Sequence, residues 1–165
     1  SQGVAALLVV HQPGVDEARQ VFEARQLIEA AIVRELCTRI TDAQVAELRA
    51  HLADERAAVA RTDVTGRTRL LADFHVILAR MLGNEVLARL LADLLSRSSL
   101  IALMYQSAHS AEASQAEHGQ IVDALDKRDA RAAVRLMEHH LHSVERNLNL
   151  APHTPDLATA LQPQA

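Results

Sequence analysis

The sequence predicts an all-α fold in a single domain, and three observations carry that expectation. Hydrophobic residues make up 49% of the 165 positions, largely Ala and Leu, while aromatics are 2%, with five Gly and four Pro; this composition favours packed helices over a sheet. Apolar residues recur at intervals of three and four through most of the chain. The segments that carry this period are separated by short stretches rich in helix-stop and helix-start residues. A chain of this length buries roughly two thirds of its unfolded surface, enough for one real core.

Residues 1–14 contain the β-prone run Gly3 to Val10, which stops at His11-Gln12-Pro13-Gly14. This run reads as a strand or linker, the end of something upstream, because no other strand in the sequence offers it a partner. From Val15 a helix is expected to about Arg39, with Val21, Phe22, Leu27, Ile28, Ala31, Ile32 and Leu36 on its apolar face and Arg25 and Glu29 close beside it. Thr41-Asp42 is a good N-cap for a second helix carrying Val45, Leu48, Leu52 and Val59 to about Ala60, whose remaining face is charged and expected to be solvated. Thr62 to Arg67, with Gly66 inside, reads as a connection.

A third helix is expected from about Thr68 to Leu82, with Leu71, Phe74, His75, Leu78 and Leu82 on one side, ended by Gly83-Asn84. The Leu-rich helix from Glu85 to about Gln106 is apolar over much of its circumference, which suits a central or interface position. Ser107 to Ser114 reads as a small-residue connection. Two further helices flank the break at Lys127-Arg128-Asp129 and form a hairpin, which must pack side by side because the turn is so short. Residues 151–165, punctuated by proline, read as a tail, so the folded domain is expected over 15–150.

Three histidines stand where apolar residues belong. His118 precedes Ile121, Val122 and Leu125 by three, four and seven positions, His140 follows Ala133, Leu136 and Met137 in the same way, and His75 shares a stripe with Leu71 and Leu78. One inward imidazole is ordinarily a hydrogen-bonded core residue. Three that converge destabilise the core by about 1–3 kcal/mol each unless something satisfies them, and a divalent metal does so directly. The other six histidines, His51 among them, fall on polar faces or in loops and are read as solvated.

Other chemistries are poorly supported. The sequence lacks a His-Glu-x-x-His pair, a Gly-x-Ser-x-Gly elbow and a Gly-rich phosphate loop, and no Glu is expected on the inward stripe to act as a base beside the histidines. A net charge of −4 and a pI near 6.1 give no general attraction to nucleic acid. The single cysteine, Cys37, excludes a disulfide framework and fits a reducing cytoplasm, and the longest strongly apolar run is far too short for a bilayer span.

Glu23-Ala-Arg25 with Glu29, then Phe74-His75, Gly83-Asn84, Glu117-His118 with Ile121, Ala124 and Leu125, then Asp129, Ala132, Met137 and His140-Leu141, together resemble the C-terminal effector domain (FCD) of FadR-type GntR transcription regulators over roughly Val15 to Leu148. The resemblance implies an antiparallel bundle of six to seven helices that contributes to a homodimer. It also implies an operator-binding winged-helix domain preceding this chain. In many members one Asp and three His hold a divalent metal in the pocket that receives a small organic acid, while other members are metal-free. His75, His118 and His140 match the three histidines. The Asp position, four residues before the first histidine, is Leu71 here, and Asp73 lies about 200° from the inward direction.

With that ligand absent, an imidazole-preferring ion, zinc or nickel, is expected over magnesium or calcium. Arg25, Asn84, Arg97, Tyr105 and Gln106 are the polar candidates to line the effector cavity, an Arg suiting a carboxylate by bidentate pairing. The alternative from another class is a small helical metalloenzyme whose three-histidine site activates water.

Overall fold

In the computed structural model, which describes residues 14–105 and 108–148, the chain is an all-α bundle. The described residues form six helices: α1 (Val15–Leu36), α2 (Asp42–Ala60), α3 (Val64–Met81), α4 (Glu85–Tyr105), α5 (Ala108–Asp126) and α6 (Ala130–Asn147). The described residues contain no strand, and the segment read as a strand or linker over 1–14 lies outside them except for Gly14, the N-cap of α1. The tail read over 151–165 lies outside them as well.

Two helix starts differ from the sequence reading. α3 begins at Val64 rather than near Thr68, because Asp63 caps it by accepting the Gly66 N–H at 3.0 Å. Gly66 therefore sits inside the first turn, where an added Cβ would lie 2.1 Å from Asp63 Oδ2, so the residue taken for a loop marker is a close-approach position. α5 begins at Ala108, so Ser110 and Ser114 are helical rather than connecting. Their small size suits close packing on a crowded face, and Ser114 is buried.

The remaining boundaries follow recognisable chemistry. Thr41 and Gln44 form a reciprocal capping box on α2. Gly83 takes φ +75° to end α3, and Asn84 Oδ1 accepts the Leu87 N–H at 3.0 Å to start α4. In the hairpin between α5 and α6, Arg128 adopts φ 54° and its guanidinium donates to Ile40 O and Asp42, which ties this turn to the α1–α2 connection. Asp129 then caps α6 through the Ala132 N–H.

The helices pack as α1 on α6, α5 on α6, α3 on α4 and α2 between α3 and α5. Their shared core includes Leu36, Leu48, Phe74, Leu78, Leu91, Ile121, Leu125, Met137 and Leu141, all essentially inaccessible. The buried seam of α1 runs Ala18, Phe22, Arg25, Glu29, Ile32, Leu36, so Arg25 and Glu29 occupy core positions, whereas Leu27, expected on the apolar face, is 78% exposed. α2 behaves alike: its seam is Val45, Leu48, Leu52, Glu55, Val59, and Glu55 is fully buried instead of solvated. Spacings of three and four thus carry charged residues into the middle of the bundle.

Candidate metal centre

Those charged positions surround the three histidines. His75 from α3, His118 from α5 and His140 from α6 are 1–3% exposed and present one nitrogen each within 4.8 Å of the others. The Nε2 atoms of His118 and His140 are 3.0 Å apart, and those of His140 and His75 are 3.4 Å apart. Two imidazole nitrogens bound tetrahedrally to one zinc at 2.0–2.1 Å would be about 3.4 Å apart, so the donor set fits a single ion of that size.

Each imidazole is held from behind by a carboxylate. His75 Nδ1 is hydrogen-bonded to Glu29 Oε1, His118 Nδ1 lies 2.7–2.8 Å from both oxygens of Glu55, and His140 Nδ1 lies 3.1 Å from Glu117 Oε1. Arg25 Nε donates to the other oxygen of Glu29 at 2.8 Å, forming a buried Arg-Glu-His chain. Phe74 stacks on the His118 ring at 4.0 Å and fixes its plane. His51, read as solvated, is instead tucked behind this layer with its Nε2 2.8 Å from the Leu70 carbonyl.

Burial controls the protonation of the cluster. His75 is pushed down to about 4 by burial, against the upward pull of Glu29, and His118 is driven well below its ordinary value by burial and then by the neighbouring His140 and His75. Burial works to raise Glu29, but the charges of His75 and Arg25 and their hydrogen bonds outweigh it and bring the carboxyl to about 2. Glu55 is pushed up to about 9 by burial, opposed only by Arg56.

Two lone pairs do not face one another at 3.0 Å, so a proton or a cation lies between His118 and His140. Without a cation, protonated Glu55 donates to His118 Nδ1, and His118 Nε2–H donates to His140. Were a cation held there, the Glu55 proton would pass to His118 Nδ1, which donates it back to the Glu55 carboxylate, and the Nε2 proton would leave to solvent, freeing the third lone pair. The same side chains could therefore serve both states by relocating one proton and releasing another.

The histidines open on a cavity of about 50 Å³, room for a few waters or a small polar group. Its walls include Phe22, Arg25, Thr68, Leu71, Leu95, Ser98, Ser114 and Val144. Of the polar candidates, Arg25 is buried on this wall, whereas Arg97 is half-exposed and paired with Glu17 and Asp93, and Asn84 is an exposed cap. The structure thus places Arg97 and Asn84 away from the cavity, where surface charge and helix capping account for them. The side chains of Tyr105 and Gln106 lie outside the described residues. Leu71 faces the cavity and Asp73 is half-exposed beside Arg69, as the helical angle requires.

Sequence reasoning missed Glu55 and Glu117 and expected no glutamate beside the histidines. The signal for Glu55 was its place three residues after Leu52 and four before Val59, in register with the apolar seam. Residue type concealed it, because an isolated Glu reads as surface. Glu117 gave less away, since it sits at the rim with its side chain 15% exposed.

The protonation states predict a two-sided pH profile for the metal-free chain. His75 and His118 have folded pKa values below 6.5, so their contribution is complete above 6.5 and is lost as pH falls toward 4; Glu29 adds a loss between 4.5 and 2. Glu55 has a raised folded pKa, so its neutral form is accommodated at low pH and stability declines from 4.5 upward until about 9. Two histidines outweigh one glutamate below 6.5, which places the maximum near pH 6.5. Urea midpoints measured in chelator from pH 4 to 9 check this, and a midpoint still rising between pH 7 and 9 contradicts the assignment of Glu55.

Comparison with known proteins places the fold in a family. The FCD domain family matches residues 20–143. The chain is similar to the HTH-type transcriptional repressor NanR of Citrobacter rodentium, 30% identical over 152 residues that cover 86% of this chain and 54% of that protein. It is also similar to the HTH-type transcriptional repressor RspR of Escherichia coli, 26% identical over 84% of this chain and 61% of that one. The chain therefore spans a little over half the length of these relatives. Among solved structures, a GntR protein of Streptococcus agalactiae superposes with a TM-score of 0.68 at 29% identity, over 78% of this chain and 58% of that one. A transcriptional regulator GntR from Rhodococcus superposes at 0.73 with 22% identity, over 86% and 68%, a likeness of fold. The match over 20–143 and the named repressors leave one conclusion: the chain belongs to the FCD domain family of GntR-type regulators.

Proposed function

We propose that this chain is the effector-binding and dimerisation domain of a GntR/FadR-type DNA-binding transcription regulator, and that its cavity senses a small organic acid beside a divalent metal held by His75, His118 and His140. The observation that carries the reading is the convergence of three buried imidazole nitrogens on one point, each ring backed by a carboxylate. Such an arrangement fixes the ring orientation and leaves a lone pair aimed inward. The donor set is all imidazole, which favours zinc or nickel over magnesium or calcium. When bound, the metal supplies a positive centre for a carboxylate, and Arg25 on the same wall is the second anchor, already oriented by Glu29.

A hydrolytic reading finds less support. Glu29, Glu55 and Glu117 are engaged with the histidines from behind, and the described polar side chains on the cavity wall besides the histidines are Arg25, Thr68, Ser98 and Ser114, none a ready general base. The named relatives are repressors, in keeping with a sensor.

Elemental analysis of protein purified without chelator is expected to find close to one zinc or nickel per chain, and His118→Ala and His140→Ala to lose it. A metal-free parent, or full retention in both variants, sinks the metal assignment. For the regulator role, the full-length protein is expected to shift DNA from its own upstream region in a manner altered by its acid effector; no shift with or without candidate acids counts against it.

The dimer is read from exposed apolar surface. Val86 and Leu90, one turn apart on α4, are 81% and 51% exposed, and Leu27 on the neighbouring α1 is 78% exposed. A face of this kind suits a two-fold interface. Sedimentation at micromolar concentration should give twice the chain mass, with Leu90→Glu shifting it toward monomer; a parent that sediments as a monomer removes the claim.

A further inference from the structure

We propose that Glu55, together with Glu29 and Glu117, forms an outer carboxylate ring supplying the negative charge that a divalent ion at the three histidines requires, and that Glu55 is the positioning residue on which its affinity most depends. The inference rests on the metal reading above and assigns the charge that Leu71 does not provide. In a site with an aspartate ligand, the anion touches the ion. Here that position carries an alkyl side chain at the cavity wall, and the anions stand one imidazole further out.

The three glutamates differ in what else they touch. Glu29 shares its charge with Arg25, at 2.8 Å and equally buried. Glu117 sits at the rim, 15% exposed, with His139 at 3.5 Å as a second neighbour. Glu55 is fully buried, gives both oxygens to His118 Nδ1, and has no Arg or Lys within ion-pair distance among the described residues; His51, its other neighbour at 3.9 Å, is turned to the Leu70 carbonyl. Three carboxylates against the one guanidinium of Arg25 leave two negative charges, which match the two positive charges of one divalent ion. A buried anion without a cation is strongly disfavoured, so the Glu55 carboxylate and the ion stabilise one another across the His118 ring.

Removing the outer partner of a metal-bound histidine weakens metal binding 10–100-fold in general. Glu55→Gln retains an amide oxygen that accepts the His118 Nδ1–H and deletes the charge alone. Zinc affinity measured by competition with a chromophoric chelator should therefore fall 10–100-fold in Glu55→Gln and by a smaller factor in Glu117→Gln, and stay at the parent value in the exposed control Glu47→Gln. The metal-free melting temperature of Glu55→Gln should equal or exceed the parent's, while the rise on adding zinc shrinks; a purely structural role would instead lower the metal-free value. Parent-like affinity in Glu55→Gln, beside a His118→Ala that has lost zinc, overturns the ring and leaves the metal site standing. A parent that does not bind zinc overturns the metal reading itself and the ring with it. If Glu55→Gln does not fold, Glu117→Gln decides: reduced affinity supports the ring, and parent-like affinity overturns it.

Discussion

The centre of this bundle depends on holding six buried ionisable groups together with a seventh at the rim of the cavity. His75, His118, His140, Arg25, Glu29 and Glu55 are each at most 3% exposed, and Glu117 stands at the rim. Taken singly, any of these would be expensive to remove from water. The solution is a closed set of hydrogen bonds in which each ring has one carboxylate and one inward nitrogen, and the guanidinium neutralises the most heavily engaged carboxylate. This requirement explains the fold's local choices better than hydrophobic burial alone does.

It explains, for example, why six helices are needed. The rings come from α3, α5 and α6, their carboxylates from α1, α2 and α5, and the floor of the cavity is completed by Leu95 and Ser98 of α4. The short hairpin between α5 and α6 sets His118 against His140, and Arg128 in that turn fixes the hairpin to the α1–α2 connection 86–88 residues earlier in the chain. Packing of the surrounding aliphatic residues then holds the rings at their spacing, because a well-filled core does not tolerate sub-ångström drift in its members.

Much of this was legible in the sequence, and what was not has a physical reason. His75, His118 and His140 could be placed inward because their neighbours at three and four residues are plainly apolar, and periodicity is a strong signal when only one position of a stripe is polar. The glutamates were harder. Arg25 and Glu29 lie four apart in the seam of α1, so two adjacent polar positions shifted the apparent apolar face toward Leu27, which is in fact exposed. Glu55 was hidden by its surroundings, since a charged residue between Asp54 and Arg56 looks solvated even at a core register. A buried ion is the case in which residue type and helical phase disagree, and here phase was the better guide. Gly66 and Ser110 show the converse: read as loop composition, they are helical, Gly66 because the Asp63 cap leaves no room for a Cβ.

The same geometry bears on how a ligand in the cavity could be felt elsewhere. A ligand alters a conformational equilibrium only through contacts that differ between states. The cavity wall draws on α1 through Phe22 and Arg25, on α3 through Thr68 and Leu71, on α4 through Leu95 and Ser98, on α5 through Ser114 and on α6 through Val144, with its C-cap Leu148. Helix α2 is absent from that list but reaches the site through Glu55 and His118. A carboxylate that takes hold of Arg25 therefore competes for a guanidinium whose Nε already orients Glu29, and Glu29 in turn orients His75. Binding at the wall and the position of the ring are parts of one hydrogen-bonded chain. Because α4 carries Leu95 and Ser98 inside and Val86 and Leu90 outside, the helix that lines the cavity also carries exposed apolar surface. Under the proposed reading, a ligand set against Leu95 and Ser98 would therefore press on the helix whose other side carries Val86 and Leu90.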